Sequence, residues 1–258
     1  MPGPLVQNTL LPQRAQPTRF TDNSNPNAPQ RGTAYNEQVV QSMVPTMHPL
    51  AEEGSYYTVT NPTPGTGVAH ALTTAFSSTA ALFSLFNSAP IGGPNVYLDY
   101  LRLIETATAP ATSLSQDFLI QLDQALSRAP TAGNVALTAV NMNLGSANKG
   151  FANWQAFNAA ALTVPAQATA TTKNASRIHI ATGQVILGDE NVILFGGVDK
   201  PGHGGGSTAV RAADTGRRVT NAPPIMCAPQ TWLTIFRWGV GEATNVPSYE
   251  YEIGYWER

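Results

Sequence analysis

Residues Ser248–Arg258 read SYEYEIGYWER. Tyr249, Tyr251, Ile253 and Tyr255 fall at alternate positions, with Glu250, Glu252, Gly254 and Trp256 between them. Successive side chains of a strand point to opposite faces of the pleat, so a period of two is the signature of β structure. One face here is apolar and aromatic, and the other carries two carboxylates. The stretch predicts a paired strand at the end of the chain, with its register fixed by the buried face.

Working back from it, TWLTIFRWG (Thr231–Gly239) puts Trp232, Phe236 and Trp238 on one side and Leu233, Ile235 and Arg237 on the other, which predicts a strand covered on both faces. NVYLDYLRLI (Asn95–Ile104) places Val96, Leu98 and Tyr100 on one face and Tyr97, Asp99 and Leu101 on the other. With TAALFSLFN (Thr79–Asn87) and the intervening turn Ala89–Pro94, it reads as a hairpin. Further strands are expected at Tyr56–Thr60, Val68–Thr74, Asp117–Asp123, Val135–Asn141, Ala156–Val164, Arg177–Leu187 and Asn191–Phe195. Their spacing suits an all-β sandwich or barrel better than βαβ units.

Composition points the same way. The 258 residues include 22 glycines and 20 prolines, and only 12% are charged. Solvated helices draw on Glu, Lys and Arg for their outer faces, whereas Ala, Thr, Ser, Asn and Gln fill the polar positions here. A formal charge of −2 gives no electrostatic hold on nucleic acid or anionic lipid. No apolar stretch approaches the ~20 residues of a membrane-spanning helix. The start, MPGPLVQNTLLPQRAQ, lacks the basic segment and apolar block of a secretory signal, so export by that route is not expected.

The first quarter is different in kind. Residues 1–54 are rich in Pro, Asn, Gln and Thr, without apolar periodicity, and read as an extended arm ahead of a body spanning 55–258. Composition alone also fits a disordered tail. An ordered arm would need another surface to offset its backbone entropy, which implies a partner chain. Its candidate assembly contacts are Leu10, Leu11, Arg14, Arg19, Phe20, Arg31, Tyr35, Val39 and Met43.

Motifs for chemistry are sparse. GHGGGS (Gly202–Ser207) lacks the lysine and hydroxyl of a phosphate cradle and reads as a loop. His48, His70, His179 and His203 show no metal-ligand spacing, so no metal or cofactor is expected. His179 shares a strand face with Arg177, read as solvated; His203, on the glycine loop, is the better functional candidate of the two. No GxSxG turn marks a hydrolase nucleophile. Glu250 and Glu252 could form a glycosidase pair, although a soluble strand face or subunit contact explains them as well. Cys227, the single cysteine, reads as a small buried thiol. Catalysis is not expected.

YLDYLRLI (Tyr97–Ile104), LFGGVD (Leu194–Asp199), the turn Ala222–Pro224 and the SYEYEIGYWER ending resemble structural proteins of tailed bacteriophage heads, in particular capsid decoration (cement) proteins. The resemblance runs from about Thr33 to the C-terminus. It implies a jelly-roll-like β-sandwich on the outer capsid surface, a homodimer or homotrimer whose partners are the major capsid protein and sister copies. It brings no catalytic motif and fixes no contact residue. Two other classes stay open. One is a head-fibre or tail-associated host-recognition or carbohydrate-binding module, using aromatics such as Tyr56, Tyr57, Tyr97 or Trp154. The other is a glycan-cleaving enzyme with two carboxylates in one cleft.

Overall fold

The structure, a computed structural model, describes residues 47–106, 115–124, 128–181, 187–196, 217–242 and 246–258. Among the described residues one short α-helix, α1 (Met47–Glu52), leads into the strands. In chain order these are β1 (Tyr56–Thr60), β2 (Val68–Ala69), β3 (Ala80–Ala81), β4 (Phe83–Asn87), β5 (Val96–Glu105), β6 (Ser115–Asp123), β7 (Asn134–Leu137) and β8 (Val140–Asn141). They continue with β9 (Ala152–Phe157), β10 (Leu162–Thr163), β11 (Thr172–Ala181), β12 (Glu190–Phe195), β13 (Arg217–Ala222), β14 (Met226–Cys227), β15 (Trp232–Val240) and β16 (Ser248–Glu257).

The all-β architecture is a sandwich of two main sheets. The larger runs β13-β12-β5-β16-β1-β8, with β14 added to β5 and β2 to β16; the smaller runs β11-β6-β15-β4-β9-β7. A two-stranded ladder joins β3 and β10. Both sheets contribute to one core, with Leu98, Leu101, Ile253 and Tyr255 from the larger and Phe83, Phe118, Trp154 and Ile235 from the smaller. β16 behaves as its alternation requires: Tyr249, Tyr251, Ile253 and Tyr255 are buried, while Glu250, Glu252 and Trp256 are half-buried. It pairs with β5 along its whole length and with β1 on its other side. In β15 every residue from Trp232 to Gly239 is buried, so both of its faces are covered.

Long strands close in sequence lie in opposite sheets. β4 is in the smaller sheet, β5 in the larger and β6 in the smaller again; β11 and β12, and then β15 and β16, alternate in the same way. The expected Thr79–Ile104 hairpin is therefore not formed. β4 pairs with β15 and β9, whereas β5 pairs with β16 and β12. Two strands facing each other across a core share the period of two neighbours in a sheet, so the pattern alone could not separate them. The crossing is held by the buried Asn87, whose Nδ2 donates to Pro94 O and Cys227 O, both at 3.0 Å, while its Oδ1 accepts from Ala89 N–H.

Other expected strands shift for similar reasons. Val68–Thr74 shortens to β2, and the expected Arg177–Leu187 overlaps β11, which starts five residues earlier, while its part at 182–186 lies outside the described residues. Val135–Asn141 divides into β7 and β8, in different sheets, and Ala156–Val164 divides between β9 and β10. β13, which was not expected, pairs parallel with β12.

The face assignment of β5 also changes. Gly254 pairs with Tyr100 and Tyr255 with Leu98, leaving Asp99 as an extra residue, a β-bulge. Beyond it the alternation reverses: Val96, Leu98, Leu101 and Leu103 point inward, while Tyr97, Asp99, Tyr100 and Arg102 all face outward. Tyr100 thus joins the outer set rather than the face of Val96 and Leu98. Gly254 opposite the bulge must lack a side chain, because a Cβ there would overlap the Tyr100 ring and the Tyr56 hydroxyl. Both tyrosines are pinned by hydrogen bonds to carboxylates and cannot swing away freely. Gly254→Ala is expected to destabilise the body by about 1–3 kcal/mol, seen as a lower urea midpoint at unchanged slope. Adding Tyr100→Ala should recover part of the loss. A Gly254→Ala protein as stable as wild type would refute this packing.

Candidate functional site

The bulge gathers polar and aromatic side chains on the outer face of the larger sheet. Tyr56 on β1 donates its hydroxyl to Asp99 Oδ2 at 2.6 Å. Tyr100 donates to Glu252 Oε1. Arg102 bridges two strands, with Nε to Glu190 Oε1 at 2.6 Å and Nη1 to Glu252 Oε2 at 3.3 Å. Glu250 accepts the Gly65 N–H. Beside this network Tyr97 and Trp256 stack with centroids 5.4 Å apart and planes 7° apart. A groove of about 280 Å³ opens between Arg102, Ile104, Glu250, Glu252 and the turn at Asn61–Pro64.

Burial raises the pKa of Asp99 against the lowering effect of the Tyr56 hydrogen bond. It also raises those of Tyr56 and Tyr100, reinforced by the carboxylates they donate to. Both phenols therefore stay protonated donors at neutral pH. Glu250 and Glu252 lie together as the sequence suggested, but each is already held by a protein donor. The arrangement offers fixed acceptors, one guanidinium and an apolar floor, which suits holding a polar ligand better than a proton-transfer pair.

A second concentration of charge lies inside one end of the sandwich, on the inward faces of β5, β15 and β16. Arg237, on the apolar-facing side of β15, is fully buried and forks onto Glu242, Nη1 to Oε2 at 2.6 Å and Nη2 to Oε1. Its guanidinium also lies over the Tyr249 ring, 5.5 Å from the centroid. A Cβ on Gly239 would overlap the Glu242 carboxylate, so glycine leaves room for that side chain to fold back. Glu105 accepts the Ser248 N–H at 3.1 Å, and next to it Arg218 pairs with Asp189 at 3.1 Å, both side chains buried. His70, also buried, has its pKa pushed down to about 4 by burial and by Arg237, so it is neutral near pH 7. Glu105 is pushed up to about 7, first by burial; the Ser248 N–H and Arg237 oppose this.

The smaller sheet carries one further cluster. Asp117, 1% exposed, accepts from Ser115 Oγ and His179 Nδ1, both at 2.9 Å, and from Arg177 at 3.3 Å. His179 and Arg177 are exposed, as expected for a solvated face, but they are anchored on a buried carboxylate that the sequence reading did not connect to them. Ser115 bonds the aspartate rather than the outer ring nitrogen, so these three residues do not form a nucleophile–base–acid relay.

The arm contacts Leu10, Leu11, Arg14, Arg19, Phe20, Arg31, Tyr35, Val39 and Met43 lie outside the described residues, as do His203 and the Gly202–Ser207 loop. Cys227 is fully buried, and burial pushes its thiol up to about 11. Of the aromatics named for a ligand platform, Tyr57 and Trp154 belong to the core, and Tyr56 is nearly covered. Asp99 and Arg102 were missed as partners, because the bulge that turns Asp99 and Tyr100 outward together breaks the period of two. Among the described residues no group of three or more His, Cys, Asp or Glu side chains could hold a metal, and no helix is long and apolar enough to cross a membrane. Compared with protein-family models, curated proteins and solved structures, the chain matches none.

The buried acid gives a pH test. Because the folded pKa of Glu105 is raised from 4.5 to about 7, the folded state holds a proton that the unfolded chain releases more readily. Its favourable contribution is complete below the unfolded value and is lost as pH rises toward 7. Glu105→Gln should match wild type near pH 4.5 and gain on it up to about pH 8, by on the order of 3 kcal/mol. Thermal unfolding across that range measures the gap; a constant gap would overturn the assignment.

Proposed function

We propose that the chain is a structural virion protein that binds the outer surface of a phage capsid and cements contacts between major capsid subunits, with its N-terminal arm contacting neighbouring subunits and sister copies. Its role in this reading is binding, not catalysis. The observation that supports it most is the connectivity of the larger sheet. β1, the first long strand after α1, is paired antiparallel along its full length with β16, the last strand of the chain. Tension on a segment ahead of β1, with the body held elsewhere, loads that ladder along the strands and strains all its hydrogen bonds together. A clamp tethered through its N-terminal segment to a pressurised shell needs that geometry.

The reading extends to the winding of the fold, a jelly-roll-like sandwich. Its support is the alternation of β4, β5 and β6, and of β15 and β16, between the sheets, with the parallel β12–β13 pair as an addition at one edge. Internal charge pairing fits a rigid block as well. Arg128, Arg218 and Arg237 are buried against Asp123, Asp189 and Glu242, so these three cations hold the body together rather than making salt-dependent contacts outside.

A head-fibre or tail-associated carbohydrate-binding module is the second reading, favoured by the groove beside Arg102, Glu250 and Glu252. The mutual stacking of Tyr97 and Trp256 weighs against it, since a sugar ring would need one of those faces. Copy number separates the two. Quantitative mass spectrometry of purified particles should find this chain at a number comparable with the shell's own repeat; a few copies per particle would move the assignment to the fibre or tail, and absence would reject both. Deleting residues 1–46 should leave the thermal midpoint of the body nearly unchanged while weakening its retention on particles. A truncated chain that unfolds at ambient temperature would show that the segment belongs to the core.

A further inference from the structure

The edge of the larger sheet carries an inverted pattern. In Val140–Leu144, VNMNL, the apolar side chains point to solvent: Val140 is 46% exposed, Met142 51% and Leu144 88%. The asparagines between them turn inward. Asn141 Nδ2 donates to Gly54 O at 2.8 Å, and Asn143 Nδ2 donates to Glu52 O at 3.0 Å. Their side-chain oxygens accept from Asn143 N–H and Gly145 N–H, at 2.9 and 3.0 Å. Asn148 adds a bond to Glu53 O. The inner side of this segment thus satisfies carbonyls left over at the end of α1, while a stripe of three apolar side chains is held outward. Sheet edges are ordinarily blunted with charge, and none lies within Val140–Leu144. Nearby, a groove of about 520 Å³ runs between Tyr57, Pro94, Lys149 and Phe151.

We infer that this stripe receives the N-terminal segment of a second copy of the chain. The inference rests on the arm-to-sister-copy contact of the proposed function and names the surface that accepts it. Three side chains, Val140 on β8, Met142 just past it and Leu144 in the turn that follows, are too small for a globular partner, which needs about 800 Å² from each side, but they fit a peptide with isolated anchors. The 46 residues ahead of Met47 supply anchors of that kind in sequence, with prolines between Leu10, Leu11 and Phe20. From Phe20 to Met47 an extended chain can cover up to ~90 Å. That is about twice the breadth of a body with a radius of gyration near ~17 Å, which places those anchors within reach of a neighbour.

The full-length chain is expected to sediment as a homo-oligomer. Met142→Glu with Leu144→Glu should dissociate it, with a loss of affinity of tenfold or more. Leu10→Ser, Leu11→Ser and Phe20→Ser together should do the same, and combining the two sets should add little. Ile91→Glu, at another exposed turn residue, should leave the oligomer intact, and unchanged thermal midpoints would confirm that the stripe variants are folded. A photo-crosslinking residue at position 144 should capture peptides from residues 1–46 of an isotope-labelled second copy. A wild-type monomer, a stripe variant that sediments like wild type, an oligomer that survives the arm substitutions, or crosslinks confined to one copy would each overturn the inference. An oligomer behaving as expected but failing to bind particles would reject the virion role and leave this contact standing.

Discussion

The layer of aromatic side chains that β16 inserts between the two sheets holds the body together. Tyr255 stacks on Tyr57 of β1 with ring centres 5.5 Å apart and packs against Trp154 at 5.8 Å; Tyr251 meets Phe83 edge-on at 5.0 Å. Aromatic pairs of this kind add about 0.5–1.5 kcal/mol each beyond the area they bury. The strand that supplies them is also the centre of hydrogen bonding, since β5, β1 and β2 all pair with it. β15 has the corresponding place in the smaller sheet, between β6 and β4. Both central strands come from the final tenth or so of the chain. Neither sheet can close until the C-terminus is in place, a topology dominated by distant contacts and correspondingly slow to fold.

The outward and inward polar groups follow from two local departures from that scheme. At Asp99 one extra residue turns Asp99 and Tyr100 to the same side, and Gly254 opposite leaves room for the tyrosines that then lock onto Asp99 and Glu252. At the far end of the sandwich the inward rows of β5, β15 and β16 change from aliphatic to polar with Glu105, Arg237 and Tyr249. A buried guanidinium is tolerated there because Glu242 folds back across Gly239 to meet it with two hydrogen bonds. Removing one member of such a pair leaves a buried charge uncompensated, a loss of about 3–5 kcal/mol. That end is therefore held by specific geometry, where the opposite end is held by ring packing.

Much of this was legible in the sequence, and the limits were physical. The alternation in Tyr249–Trp256 and Trp232–Trp238 gave strand type, burial of each face and the all-β class, because pleat geometry reads directly as a period of two. Partner choice was not legible. Phe83–Asn87 and Val96–Glu105 have the pattern and the turn of a hairpin, yet the decisive group is the Asn87 side chain, which ties its turn to Cys227, 140 residues away. The Asp99 bulge was hidden because both phases of Val96–Ile104 alternate plausibly, and only the partner strand selects one. The Arg237–Glu242 pair left a signal in the sequence, a cation on an otherwise apolar strand face with a carboxylate just past a glycine. The buried Asp117 beneath His179 left less, since those two residues meet only once β11 is registered against β6.

Charge placement bears on what the outside of this molecule can do. The chain has 14 basic and 16 acidic side chains, and many of those described are engaged with one another: Arg102 with Glu190 and Glu252, Arg128 with Asp123, Arg218 with Asp189, Arg237 with Glu242. Such pairs rigidify the body but contribute little attraction at a distance, because each cation is neutralised within a few ångströms and the remainder is screened within ~8 Å at physiological salt. Around these pairs recognition works at contact range, through shape, apolar burial and short hydrogen bonds, whereas Arg177 and Arg258 expose 67% and 66% of their side chains. A protein steered by charge would find single partners quickly; one that relies on contact gains most where many copies face a repeating surface and each adds a modest, salt-insensitive increment. Among the described residues the stripe at Val140–Leu144, with Leu144 88% exposed and no charge within it, is one part of the outer surface where burial at contact range is available.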